Sequence, residues 1–160
     1  MKLYLARHGE YLANDYSQGE VLSEQGVMKI KRLADFLGQA KLEVAAIYHS
    51  GKVRAQQTAE LLAQRVQSQQ AVEVHQGLLP NDEVSLLVEQ LNALQEDILL
   101  VGHLPYLERL TSQLIVGNDH RQIISFEPGT IACLEKTSHA HWMIHWVLNT
   151  SLFSSSASRS

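Results

Sequence analysis

A single cysteine, Cys133, in 160 residues excludes an intramolecular disulfide and suits a reducing compartment. There is no run of Lys or Arg, and the formal charge of −4 argues against a nucleic-acid or polyanion binder. No apolar stretch reaches the roughly 20 residues that cross a bilayer. Met1-Lys2-Leu3-Tyr4 enters an expected strand at once, which leaves no room for a signal peptide. There is no internal repeat and no linker. These absences lead to the expectation of a soluble, cytoplasmic protein with neither nucleic acid nor membrane as partner.

What is present is enough for a core. At 45% hydrophobic, the chain fits one globular domain over residues 1–150, with a Ser-rich tail over 151–160 that is expected to fray. Strands and helices alternate. A strand is expected over 2–6 and a polar loop over 11–21. Ser23 then caps a helix over 24–38, with Val27, Ile30, Leu33, Ala34 and Leu37 on one face. A strand over 44–48 leads to a helix over 53–66. A short strand over 72–74 precedes the turn Pro80-Asn81-Asp82, which would cap a helix over 83–94. The apolar run 98–101 is a strand, and Pro105 suits the first turn of a helix reaching about Val116. Segments 129–135 and 141–148 lack an intervening helix and read as an antiparallel hairpin at a sheet edge. Trp142 and Trp146 are expected on one face of its second strand, and Cys133 in the core. The alternation implies an α/β fold in three layers, a mostly parallel sheet with helices on both faces. Ligands of such sheets bind at the carboxyl ends of the strands.

The chemistry-bearing residues fall at those ends. The first strand ends in Arg7-His8-Gly9-Glu10, with Asn14 beyond it. The second is followed by His49-Ser50-Gly51-Lys52-Val53-Arg54-Ala55-Gln56-Gln57-Thr58, and the strand over 98–101 by Gly102-His103. Corners after parallel strands face one side of the sheet, so two arginines and two histidines would converge. An imidazole can attack phosphorus, and guanidiniums can hold the three equatorial oxygens of a phosphoryl group in transfer. Ser50 either contacts phosphate or caps the helix that follows, the cap being the stronger reading. His139, His141 and His145 lack an accompanying carboxylate or cysteine, so an exposed edge-strand face is preferred over a metal site there.

These motifs resemble the histidine phosphatase superfamily, which has the phosphoglycerate mutase-like fold. The resemblance rests on Arg7-His8-Gly9, Asn14, the segment from Ser50 to Thr58, and Gly102-His103, and it runs from Lys2 to about Val116. It implies a phosphohistidine intermediate on His8, with Arg7, Arg54 and His103 holding phosphate and Asn14 and Ser50 as secondary contacts, and no cofactor or metal. The family's acidic proton donor has Asp82 and Glu83 as candidates, which read equally well as favouring a helix N-terminus. Glu10 lies nearer in sequence. A weak acid suffices for a phosphoramidate, whose imidazole leaves once protonated, but not for an alkoxide. The compact chain and open site are similar to the small SixA-type phosphohistidine phosphatases. That similarity implies a histidine-phosphorylated signalling or phosphotransfer protein as substrate. Those proteins often carry another arginine before the first long helix; here that region reads Gln18-Gly19-Glu20-Val21-Leu22. A small-molecule phosphomonoesterase and a non-catalytic phosphate-binding protein are the alternatives.

Overall fold

The computed structural model describes residues 1–13, 20–137 and 141–153. β1 (Lys2–Arg7) is followed by α1 (Glu24–Gln39), β2 (Glu43–Val44), β3 (Ala46–His49) and α2 (Val53–Ala63). Next come β4 (Gln67–Ser68), β5 (Glu73–Val74), α3 (Ser85–Ala93), β6 (Ile98–Gly102) and α4 (Tyr106–Val116). β7 (Ile131–Lys136), β8 (Trp142–Leu148) and a 3-10 turn, Thr150–Phe153, complete the described chain. The main sheet has the order β5-β3-β6-β1-β7-β8, while β2 and β4 form a small parallel pair of their own. β5, β3, β6 and β1 run parallel, and the hairpin β7–β8 adds antiparallel to β1.

Alternation along β1 shows how the layers form. Leu3 and Leu5 point to one face, where they meet Leu87 and Leu91 of α3 and Leu107 and Leu110 of α4. Tyr4 and Ala6 point to the other, against Ile30, Leu33 and Leu37 of α1 and Ala59 and Leu62 of α2. β1, β3 and β6 are the sheet's central parallel strands, so their carboxyl ends lie side by side. The expected three-layer α/β fold is the observed one.

Ser23 caps α1 as expected, its Oγ accepting from the Gly26 N–H. Gly26 also lets the chain beyond β1 cross the helix: a Cβ there would lie 2.2 Å from the Glu10 carbonyl oxygen. Gly129, at φ 80°, donates its N–H to the carbonyls of Arg7 and His8 and so ties the start of the hairpin to the end of β1.

Several boundaries differ from expectation. The run 44–48 is two strands, because the chain changes partner at Ala45: Val44 pairs with Ser68, Ala46 pairs with Ile98, and the Ala45 N–H donates to the Asp97 carbonyl between them. α2 ends at Ala63, although Val66 still packs into the core. α3 starts at Ser85 with no side-chain cap, since the Asp82 carboxylate accepts from the Leu79 N–H within its own turn. Trp142 and Trp146 lie on opposite faces, Trp142 in the α3–α4 layer and Trp146 against Tyr4. The cause is a β-bulge: Cys133 pairs with Trp146 but Leu134 with Ile144, and the extra residue, His145, inverts the alternation. Of the tail expected to fray, residues 151–153 belong to the 3-10 turn. Thr150 is buried, and the Phe153 carbonyl accepts from Arg32 Nη1 at 2.7 Å; residues 154–160 lie outside the described part.

Candidate active site

β1 delivers Arg7 and His8 to the centre of the sheet's carboxyl edge. The His8 N–H donates to the Gly102 carbonyl, which locks the end of β1 to the end of β6. The next N–H, that of Gly9, donates to Thr58 Oγ1, whose own hydroxyl donates to the Arg54 carbonyl. Thr58 therefore couples the loop after β1 to the first turn of α2, which carries Arg54. His103 follows β6 directly, so its ring lies next to that of His8, with centroids 5.0 Å apart. Tyr11 closes the other side of the His8 ring at 5.2 Å, edge-on. The structure thus brings Arg7, His8, Ser50, Arg54 and His103 to one edge. Asn14 lies outside the described residues.

The hydrogen bond to a carbonyl fixes the state of one imidazole, that of His8. His8 is 3% exposed and its Nδ1 lies 2.9 Å from the Gly9 carbonyl. A carbonyl only accepts, so Nδ1 carries the proton and the lone pair of neutral His8 is on Nε2. Burial lowers the His8 pKa to about 4; the bond to Gly9 opposes that shift, and the Arg54 and Arg7 charges add to it. His103 is 2% exposed and lowered to about 3, first by burial, then by His8 and the nearby cations. Ser50 Oγ accepts from the Lys52 N–H and lies 2.6 Å from His103 Nε2. With Ser50 as the donor to Nε2, the His103 proton is on Nδ1. Ser50 is therefore not the N-cap of α2, a position held by Lys52 without a side-chain bond. Its hydroxyl orients the second imidazole.

The arginines are held but not saturated. Arg7 Nη1 donates to the Phe126 carbonyl at 2.7 Å, and the Arg54 guanidinium lies over the Tyr11 ring, 4.8 Å from its centroid. Arg54 Nη1 also pairs with Glu20 Oε2 at 3.0 Å. Three buried nitrogens, Arg7 Nε, Arg54 Nε and His103 Nδ1, have no hydrogen-bond partner among the described residues. Buried donors are rarely left so, and a cluster of them beside a neutral imidazole is the donor set an oxyanion needs.

The acids sort differently. Asp82 is engaged in its own turn, and Glu83 is exposed just before α3. Glu10 turns towards Lys29, 3.7 Å away. The carboxylate in contact with a site arginine is that of Glu20, and its only sequence signal is its place in Gln18-Gly19-Glu20-Val21-Leu22 before α1. Tyr11 carries no signal at all. The histidines of the C-terminal hairpin stay apart from this edge: His141 is exposed, and His145 is half-exposed, 3.7 Å from Glu135. His139 lies outside the described residues. Among the described residues no group of three or more His, Cys, Asp or Glu is placed to hold a metal ion, and no helix is long and apolar enough to cross a membrane.

Residues 3–79 match the family model of the histidine phosphatase superfamily (branch 1). A curated relative, the phosphohistidine phosphatase SixA of Escherichia coli (strain K12), is 28% identical over 123 residues, covering 73% of this chain and 76% of that protein. The solved structure of the protein histidine phosphatase SixA complexed with tungstate superimposes with a TM-score of 0.85. It is 23% identical, and the match covers 96% of this chain and 99% of that one. A phosphoserine phosphatase from Entamoeba histolytica in complex with 3-phosphoglyceric acid matches with a TM-score of 0.67 at 15% identity, over 92% and 96% of the chains. At such identities the two solved structures bear on the fold alone.

Proposed function

We propose that this chain, residues 3–79 of which match the histidine phosphatase superfamily model, is a phosphatase that hydrolyses phosphohistidine on a protein through a covalent intermediate on His8. The observation that carries this reading is the neutral, Nε2-unprotonated His8 set among three buried donors without partners. The Nε2 lone pair attacks phosphorus in line. As the Nε2–P bond forms, the bond from phosphorus to the substrate's imidazole nitrogen breaks, and that nitrogen keeps the electron pair. Arg7, Arg54 and the Nδ1–H of His103 take the charge on the equatorial oxygens. The Gly9 carbonyl, accepting from His8 Nδ1–H, steadies the positive charge that His8 acquires on phosphorylation. Water then attacks phosphorus, and the Nε2–P bond breaks to give phosphate and neutral His8.

The substrate follows from the acids. A phosphoramidate leaves with a nitrogen that protonates near neutral pH, whereas an alkoxide needs a proton in the transition state. Asp82 is bonded within its turn and Glu83 is exposed, which favours the leaving group that needs less help. The curated relative's name, phosphohistidine phosphatase, supports the same choice. We place Asn14 as a secondary phosphate contact, the whole of 1–150 as the catalytic domain, and the protein in the cytoplasm with a phosphotransfer or signalling protein as substrate. A second reading, small phosphomonoesters, is favoured by the cleft of about 570 Å³ beside Arg54 that Glu20, Lys52 and Pro80 help to line.

The test incubates the purified protein, with a chelator present, with a histidine-phosphorylated phosphotransfer domain and separately with p-nitrophenyl phosphate. Rapid loss of phosphohistidine with feeble nitrophenol release is the expected result, and His8→Ala abolishes both. Strong nitrophenol release without phosphohistidine turnover would replace the first reading by the second. Full activity of His8→Ala would overturn the mechanism.

A further inference from the structure

Arg54 already has an anion. Its Nη1 lies 3.0 Å from Glu20 Oε2, and the guanidinium rests over the Tyr11 ring, while the Thr58 hydroxyl holds the main-chain carbonyl of the same residue. The Arg54 side chain is 14% exposed and that of Glu20 38%, so the pair is partly shielded and the carboxylate is on its outer side. Glu20 comes from the segment before α1, across the cleft from the helix that carries Arg54. We propose that Glu20 is a resident competitor for the phosphate-binding face of Arg54, which makes the site a poor binder of free phosphate and of esters too small to bring other contacts. The proposal rests on the reading that Arg54 holds the phosphoryl group.

The electrostatics give it direction. A phosphoryl dianion reaching Arg54 either breaks the pair with Glu20 or lies beside a second negative charge, and both weaken binding. A phosphoprotein can recover the loss through contacts between its surface and the open cleft; inorganic phosphate cannot. After hydrolysis the same competition favours return of Glu20 to Arg54 and departure of the product. Stability is no rival explanation, because a partly exposed ion pair of this kind contributes little to folding.

The experiment is a cycle of inorganic phosphate titrations by calorimetry at pH 8, using the full chain, Glu20→Gln, Arg54→Gln and the double variant. Glu20→Gln is expected to bind phosphate about tenfold more tightly than the parent protein, with unchanged Tm, and the gain is expected to vanish in the Arg54→Gln background. In turnover, inhibition by phosphate strengthens by the same factor, and kcat/KM rises more for p-nitrophenyl phosphate than for a histidine-phosphorylated domain. An unchanged or weaker phosphate affinity in Glu20→Gln would overturn the proposal. A gain that persists without Arg54 would also overturn it, by showing a general field rather than competition for one guanidinium. Undiminished phosphate binding by Arg54→Gln alone would instead fell the reading of Arg54, and the proposal with it.

Discussion

Two groups of histidines sit at different parts of one sheet and meet different fates. His8 and His103 follow the central parallel strands β1 and β6, are 3% and 2% exposed, and are held neutral by burial. His141 and His145 belong to the antiparallel hairpin at the sheet's edge and stand in water, His141 just before β8 and His145 as the extra residue of its bulge. The residue type is the same; the difference is what the backbone supplies. At the carboxyl edge, the next residue brings a carbonyl to His8 Nδ1 and so sets its tautomer, and a neighbouring corner brings the Ser50 hydroxyl to His103 Nε2. At the hairpin edge the described contact is a distant carboxylate, 3.7 Å from His145. The central edge holds its imidazoles buried and bonded, and the hairpin leaves its own in water.

The sharpest way to break that contrast is to remove one histidine from each place. His8→Ala is expected to lower turnover of phosphohistidine by at least about 10³-fold, because the proposed mechanism forms its intermediate on that imidazole. Rapid quench with labelled substrate should find no phosphoenzyme in it. Next in size, Arg54→Gln should cost about 10²-fold in kcat/KM, in the range for removing one donor from a developing oxyanion. Loss through KM alone would mean that Arg54 binds the ground state and transition state equally.

Burial at the central edge also has a cost in stability that acid exposes. The unfolded chain's histidines titrate near 6.5, whereas folded His8 and His103 are lowered to about 4 and about 3. Between those values the unfolded state binds more protons, so stability rises with pH in that window. Above about pH 6.5 the pair adds no slope; below it, stability falls until the folded imidazoles themselves titrate. Urea unfolding at pH 7.5 and pH 5 should differ by on the order of 3 kcal/mol from this pair. His103→Gln should flatten the slope, and a slope unchanged by that substitution would place the acid sensitivity elsewhere.

The central edge was legible in the sequence because local signals coincide there. Arg7-His8, Ser50 to Thr58 and Gly102-His103 each follow an apolar run and precede a helical pattern, and topology alone makes such corners converge. What was not legible depends on partners far along the chain. Ala45 divides a strand because its neighbours pair with residues more than twenty and more than fifty positions away. The bulge at His145 inverts Trp142 against Trp146, and nothing in an alternating run announces an extra residue. Ser50 reads as a cap until His103 is seen beside it. Glu20 was visible only as one of the acids before α1, without its contact to Arg54.

The smallest effects should fall in the hairpin, and one residue there separates packing from chemistry. Lys136, at the end of β7, is buried, and its Nζ donates to the carbonyls of Leu91, Asn92 and Leu94 at the end of α3. A cation there satisfies acceptors that the helix cannot and complements its dipole. Lys136→Met keeps the apolar stem but leaves those carbonyls without their donor, at an expected cost of about 2 kcal/mol. For a domain of this size that lowers Tm by roughly 6 °C. The hydrogen bonds and ring contacts of His8 run to Gly9, Gly102, Gly129, Tyr11 and His103, so kcat for phosphohistidine should be unchanged below the melting range. His145→Ala, on the exposed bulge of the adjoining strand, should alter stability by less than about 0.5 kcal/mol and activity not at all. If Lys136→Met lowered kcat at a temperature where circular dichroism shows it fully folded, the hairpin would be coupled to the catalytic edge through α3. The division of labour between the two regions would then fail, because packing at the edge would be setting the geometry at the centre.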